Sequence, residues 1–470
     1  MEIKSRQEWT FYTRDEIEEL FGLKGAALSE TVKALRELNI LKCRPISSAP
    51  ELGILADESK LISFNSNNTY GYVFQYVGIL KIRDCCLLIY PKYLRQETYI
   101  NDQADNYRLL KLILSVIEKY NARCQNQAYD ISEEDTYQNQ LVIAIELIKD
   151  FMQNGLYETA QNVVEINGEG QILWNDTISK SDAYIVENTP IYLDWFTLNQ
   201  ENNIYNFFHR LHRIILTQVS IKYRDILDIL NIPPISLSDE SIESLGDIDY
   251  LINRINQELS IQFRTSKQHI LNLMKRYLLD AESNSESNDI SFVGSNAFNL
   301  IWEDVCSIIK NNVLNKNLAE LNKTYKEFDP YKTTLRNIIS RPIWEEYETG
   351  VKDSTNTLIP DIVAFEDDNL VIYDAKYYNT HFINYKIKNV PGIESLTKQI
   401  LYELAYREFA KENSMKIAKN SYLMPYDGEN DYILGSGRFD ILKNYTWGSI
   451  NDVTIEMVAA NKAFLKYIKY

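Results

Sequence analysis

A chain of 470 residues exceeds one ordinary hydrophobic core, and its 45% apolar and 12% aromatic content is ample for roughly two to four folded domains. Five cysteines without a Cys-x-x-Cys pair argue against a disulfide framework or zinc ribbon, and no apolar run approaches bilayer-spanning length, so a cytoplasmic protein with no membrane contact is expected. The net charge of −17 excludes a simple basic DNA-coating module; an acidic chain acting on DNA needs a local basic groove or a partner that supplies the grip.

In chain order, Thr13-Arg14-Asp15-Glu16 is a capping box, since the threonine oxygen and the glutamate can each satisfy a free amide at a helix start. Gly22 and Gly25 break that helix, and Leu28, Val32, Leu35 and Leu38 share one stripe of a second, over 28–38. Segments 40–43 and 60–64 read as a two-stranded wing, so residues 1–66 are expected to form a winged-helix-like module. The second helix carries Glu30 and Glu37 beside Lys33 and Arg36, which leaves DNA reading and protein docking both open.

Residues 67–200 read as a mixed α/β domain, with strands over 72–80 and 85–93 and helices over 109–120 and 141–152. Gly168-Glu169-Gly170 leads into a short strand; no Gly-Lys-Ser/Thr follows, so a tight turn is expected there rather than a phosphate cradle. Residues 201–288 read as a helical region. A helix over 207–223 carries His209 and His212, which lack acidic or cysteine partners at ligand spacing and read as structural. The stretch 226–279 is mostly helical, broken at Ile232-Pro233-Pro234, and the polar run 280–289 reads as a linker.

Residues 289–470 carry the chemistry. A helix over 297–311 places Phe298, Ile301, Trp302, Val305 and Ile308 on one stripe. Lysine-rich helical material is expected up to Ile339, with seven basic residues against three acids in 305–341. A strand over 342–348, the strands 361–365 and 370–376, a helix over 394–411 and a strand over 420–424 complete an αβββαβ order. Glu366-Asp367-Asp368-Asn369 is a polar hairpin tip, and a turn centred on Asp367 and Asp368 sets Asp361 opposite Asp374. Lys376, two residues on, shares that face. Paired carboxylates repel unless a cation lies between them, and oxygen-only ligands of this kind suit Mg²⁺ or Mn²⁺. A hairpin of merely solvated acids with a lysine partner is the bland alternative.

Ile359-Pro360-Asp361 followed by Asp374-Ala375-Lys376 resembles the PD-(D/E)xK pattern of restriction-endonuclease-like nucleases. The resemblance implies an α+β chain whose C-terminal mixed sheet is flanked by helices. It implies that Asp361 and Asp374 ligate the metal with the Ala375 carbonyl, that Lys376 positions or helps deprotonate the attacking water, and that Glu303 adds a helix acid in preference to Glu345 or Glu346. Lys398-Gln399-Ile400-Leu401-Tyr402 resembles a glutamine-containing helix motif of such nucleases, in which Gln399 and Tyr402 touch substrate phosphate or hold Lys376. With Val77-Gly78-Ile79, Tyr90-Pro91-Lys92 and the Gly170–Ile178 stretch, the chain resembles the LlaJI-type restriction endonucleases and, through them, McrC, the nuclease subunit of McrBC-type systems. That implies a Mg²⁺-dependent cut in double-stranded DNA leaving a 5′-phosphate, in a restriction or phage-defence role beside an McrB-like GTPase of the AAA+ class, with room for a homo-oligomer. No Gly-x-x-x-x-Gly-Lys-Ser/Thr loop occurs, so this chain is not expected to bind nucleotide itself. A repair or recombination nuclease and a non-catalytic DNA-binding assembly subunit are the alternatives.

Overall fold

Contacts in the computed structural model divide the chain into two units, residues 1–135 with 292–470, and residues 136–291. The structure describes residues 2–45, 70–95, 103–127, 140–203, 205–283, 290–347, 352–354, 357–378, 380–383, 386–440 and 450–470. The first stretch of sequence therefore folds with the last, and the boundary expected after residue 200 falls inside the strand Phe196–Asn202.

In the first unit the capping box forms as its chemistry requires: Thr13 Oγ1 accepts from Glu16 N at 3.1 Å, and Glu16 Oε2 accepts from Thr13 N at 2.7 Å. The helices Arg14–Phe21 and Gly25–Glu37 follow, then the strand Leu41–Pro45. The wing partner expected at 60–64 lies outside the described residues; Leu41–Pro45 pairs with Tyr70–Phe74, which also pairs with Phe11–Tyr12. A second sheet orders Glu2–Gln7, Cys85–Tyr90, Val77–Ile82 and Ile290–Ser295. Gly78, at φ +143°, is needed there, because a Cβ would lie 2.2 Å from the Val293 carbonyl oxygen.

The C-terminal part is built on a five-stranded sheet in the order Ile362–Glu366, Asn369–Ala375, Ile417–Tyr426, Val453–Ala459, Tyr432–Gly437. The central pairings are parallel and both outer ones antiparallel. The helix Ile393–Glu412 buries Tyr402, Tyr406 and Phe409 with Val363, Leu370 and Ile372. Trp302, on the helix Phe298–Ile309, is wholly buried and donates its indole N–H to the Leu423 carbonyl at 3.1 Å.

Two expectations need correction here. The lysine-rich stretch before Ile339 is not a helix beyond Ile309: Asn311, Asn322 and Lys326 take positive φ, and only Leu335–Ile338 forms a short 3-10 turn. Leu314, Leu318, Tyr325 and Leu335 are nevertheless buried, so the segment packs by burial rather than by regular hydrogen bonding. The strand at Ile343–Glu345 pairs with Lys352–Ser354 in a separate two-stranded sheet, so the core runs αββαβ up to Ile417–Tyr426 rather than αβββαβ.

The second unit holds a three-stranded sheet of Ala160–Ile166, Phe196–Asn202 and Gln171–Ile172, an exposed hairpin Ala183–Val186 with Thr189–Tyr192, and the helices Gln140–Asn154, Phe207–Lys222, Ile248–Ile261 and Thr265–Ser283. At Gly170 an added Cβ would lie 2.0 Å from the Leu198 carbonyl oxygen, so this glycine serves strand packing, as the tight-turn reading expects. The last helix runs to Ser283, into the stretch expected as a linker, and residues 284–289 lie outside the described residues. Among the described residues no helix is long and apolar enough to cross a membrane.

Candidate active site

Asp367 and Asp368 both adopt left-handed backbone, φ +46° and +60°, the geometry of a two-residue hairpin turn whose twist matches its strands. That turn fixes the register Ile362↔Tyr373, which makes Asp361 and Asp374 the next opposed positions. The Ala375 amide donates to Asp361 Oδ2 at 3.0 Å, closing the hairpin's open end over the carboxylate. Lys376 Nζ lies 2.6 Å from Asp374 Oδ1, and the Lys376 amide donates to the Leu423 carbonyl at 2.9 Å, so the parallel ladder with Ile417–Tyr426 carries on to the lysine.

Asp374 is buried, at 5% exposure. Apart from the Lys376 ammonium, its Oδ1 has no hydrogen-bond donor among the described residues. Asp361 keeps solvent-exposed surface, yet its carboxyl group is crowded. Burial, the adjacent Asp374 carboxyl and Glu303 push its pKa up to about 8 against the partial relief of Lys376. Burial also raises Glu303, with Lys376 pulling it down and Asp374 pushing it up. Burial opposes charge on Lys376, but the Asp374 pair outweighs it and the lysine's pKa is raised.

Three acids around one lysine leave excess negative charge, and among the described residues a buried oxygen of Asp374 is met by that lysine alone. An oxygen-only donor set of this composition fits Mg²⁺ or Mn²⁺. Among the described residues no group of three or more His, Cys, Asp or Glu side chains is placed to hold a metal ion, so such an ion would rest on the two aspartates and backbone oxygen.

The remaining expected residues divide clearly. Glu303 reaches this field from the helix Phe298–Ile309, where its neighbour Asp304 instead pairs with Arg123 at 3.1 Å. Glu345 sits on the exposed strand Ile343–Glu345, with Glu346 just beyond it. Gln399 is fully buried and donates to the Ser421 carbonyl at 3.4 Å, so contact with a substrate phosphate is closed to it. The Tyr402 hydroxyl donates to the Ile359 carbonyl at 2.9 Å. Burial and the charges of Asp374 and Asp361 raise its pKa to about 12. Among the described residues neither Gln399 nor Tyr402 hydrogen-bonds Lys376; both brace the backbone behind the acids.

Sequence reading missed Asn312. Its Nδ2 donates to the Asp361 carbonyl at 2.9 Å, while its Oδ1 accepts from Val363 N at 3.1 Å and Leu314 N at 3.0 Å, clasping the strand start that bears Asp361. It also missed the cleft wall built by Glu8, Trp9 and Lys92 beside Lys376. An asparagine after a helix gives no local signal of either role.

Several separate sheets with flanking helices, one of them ending in a hairpin of paired acids and a lysine, are consistent with an α+β protein with a charged site at the end of that hairpin. Residues 76–461 match the model of the LlaJI restriction endonuclease family, and the chain belongs to that family. The matched span contains Lys92, Glu303, Asp361, Asp374 and Lys376. The chain is 26% identical over 409 residues to the type II restriction enzyme BsuMI component YdjA of Bacillus subtilis (strain 168), covering 84% of this chain and 81% of that protein. Among solved structures, one chain from the tetradecameric assembly of Thermococcus gammatolerans McrB AAA+ hexamers with bound McrC aligns with all of this chain and 99% of its own, at 14% identity and a TM-score of 0.36. A chain of the Thermococcus gammatolerans McrBC complex aligns with 69% of this chain and 90% of its own, at 13% identity and a TM-score of 0.28.

Proposed function

We propose that this protein is the Mg²⁺-dependent DNA endonuclease subunit of a restriction system. The observation that carries the reading is the meeting of Asp361, Asp374 and Lys376 at one end of a hairpin, with Glu303 in the same field, in a chain of a restriction endonuclease family. Asp361, Asp374 and the Ala375 carbonyl would hold Mg²⁺ or Mn²⁺. When bound there, the ion supplies Lewis-acid polarisation of a phosphoryl oxygen and a lowered pKa for the attacking water. Lys376 holds a positive charge beside the scissile phosphate and orients the water through its N–H donors. Asn312 and Tyr402 keep the strand start that carries Asp361 in place.

A separate GTP-hydrolysing subunit of the McrB kind belongs to the same proposal. Its support is the sequence resemblance, the lack of a phosphate-binding loop of that type in this chain and the net charge of −17, which suits a subunit that borrows DNA affinity. The test is cleavage of plasmid or phage DNA with Mg²⁺ against EDTA, with and without the neighbouring operon product and GTP. Native protein should cut only with the divalent ion, and Asp374→Ala should not cut at all. Cutting that persists in the Asp374→Ala chain sinks the site. Cutting that never needs GTP or a short recognition sequence favours a repair or recombination nuclease.

A further inference from the structure

The cleft beside Lys376 has a second wall that the chemistry above leaves idle. The cleft has a volume of about 260 Å³, and Glu303, Lys376, Glu8, Trp9, Lys92 and Asn299 are among the residues that line it. Lys92 enters just past the strand Cys85–Tyr90, after Pro91. Its ammonium lies 4.8 Å from the centroid of the Tyr377 ring and 5.7 Å from those of Trp9 and Tyr378. Three aromatic faces hold a cation in place while it is mostly withdrawn from water.

The arrangement is built in, not incidental. Trp9 sits at φ +58°, a left-handed backbone that a bulky side chain keeps only when its surroundings impose it. Here they do: Glu8 N donates to the Tyr90 carbonyl and Trp9 N to the Phe74 carbonyl, both at 2.9 Å. The Glu8 carboxylate accepts hydrogen bonds from the Tyr377 hydroxyl and the Lys92 backbone N–H, and its charge also acts on the Lys92 ammonium. Tyr377 immediately follows Lys376, so the same contacts tie the N-terminal segment to the reaction centre. The helix Phe298–Ile309 begins at this cleft too, and its N-cap residue Ala297 offers no side-chain acceptor, which leaves positive potential at its first turn.

We propose that this cleft binds a second phosphate of the substrate strand, flanking the one cleaved at Lys376, with Lys92 as its cationic anchor. A nucleobase is the weaker occupant, because the ammonium already covers the three rings it would stack on. The proposal rests on the nuclease reading and extends it to residues 2–95, making the cleft a joint product of the two ends of the chain.

DNA binding in the Asp374→Ala background, where the strand stays intact, is the measurement. Lys92→Ala and Lys92→Gln should each weaken binding uniformly across sequences and lower the slope of log K against log salt by about 1. Lys92→Arg should restore the slope, since it keeps the charge. The glutamine variant keeps most of the side chain's bulk and a polar end without the charge, and remains readable if the alanine chain fails to fold. In otherwise native protein, cleavage by Lys92→Gln should show a raised KM with kcat little changed. An unchanged salt slope in a folded Lys92→Gln chain overturns the proposal. Absence of Mg²⁺-dependent cutting by native protein with its partner and GTP overturns the nuclease reading instead, whatever the slope.

Discussion

The acid–lysine group at Asp361 and Asp374 and the histidine pair of the 136–291 unit both take ionisable side chains out of water, by opposite means. His209 and His212 are buried at 6% and 0% exposure on the helix Phe207–Lys222. Both face the backbone of Tyr157: His209 Nδ1 donates to its carbonyl and His212 Nδ1 accepts from its amide, each at 3.1 Å. Burial, with the neighbouring His209, lowers the His212 pKa to about 4, so the ring is neutral at pH 7. The hairpin acids instead keep their repulsion, visible in the climb of Asp361 to about 8. A neutral His212 whose Nδ1 is held by backbone is architecture, even with its buried Nε2 unpartnered among the described residues, whereas a charged group left in conflict is a site prepared for a positive ligand.

The sharpest break of that contrast is the loss of Asp374. Asp374→Ala should abolish detectable Mg²⁺-dependent cleavage, a fall of at least roughly a thousandfold, because a charge that acts on the transition state is removed. No variant of the histidine pair should approach that effect on cutting. For His212 the readout is folding. Its folded pKa lies below the ordinary 6.5, so the unfolded chain binds more protons between pH 6.5 and 4, and stability falls as pH drops through that window. The loss from this residue is about 3 kcal/mol. His212→Phe should remove that pH dependence in urea unfolding while costing about 1–3 kcal/mol at pH 7 through the orphaned Tyr157 amide. Zn²⁺ should leave the native midpoint where it is; a zinc-dependent rise would make the pair a ligand set after all.

The same contrast explains what could be read from the sequence. The hairpin was legible because its determinants are local: two acidic turn residues able to adopt positive φ and apolar strands on either side fix the pairing of Asp361 with Asp374 by counting. The capping box at Thr13 and Glu16 was legible for the same reason. The stretch before Ile339 was misread as helix because lysines and leucines at mixed spacing satisfy helix propensity. What holds Leu318 and Leu335 is a helix some seventy residues away, carrying Tyr406 and Phe409, and no local pattern announces it. Asn312 and the Trp9–Lys92 wall were invisible on the same grounds, since each matters only through a partner distant in sequence. Gln399, read from a motif resemblance as touching phosphate or holding Lys376, is buried and bonds the Ser421 carbonyl, a placement that no local pattern announces.

Asn312 allows a finer cut. Asn312→Ala deletes a donor to the Asp361 carbonyl and the acceptor for Val363 N and Leu314 N. The expected cost is about 1–3 kcal/mol in thermal or urea unfolding, with kcat falling more than KM rises because the strand start under Asp361 loosens. Asn312→Asp keeps the acceptor and adds a fourth acid, so it should hold most of the stability of the backbone clasp yet lose activity. Equal activity for the two variants would mean that Asn312 supports the fold without steering the acid.

The smallest expected effect tests the conflict itself. In EDTA, Asp361→Asn removes a carboxylate whose folded pKa of about 8 exceeds its ordinary 3.8. A raised pKa means the folded chain holds a proton that the unfolded chain releases, so native stability is fully present below about pH 4 and drains away as pH climbs to about 8. The asparagine chain has no such drain, and its Oδ1 can still take the Ala375 amide, so it should be the more stable protein at pH 8 and equal at pH 4. Because Asp361 keeps exposed surface, solvent screening holds the gain to the order of 1 kcal/mol. Mg²⁺ should invert the ranking, stabilising the native chain and leaving Asp361→Asn nearly unmoved, since only the native pair gains from a cation between its acids. A variant no more stable than native at pH 8 in EDTA would show that the acids do not oppose one another, and the likeness to the contented histidines of the other unit would then be complete.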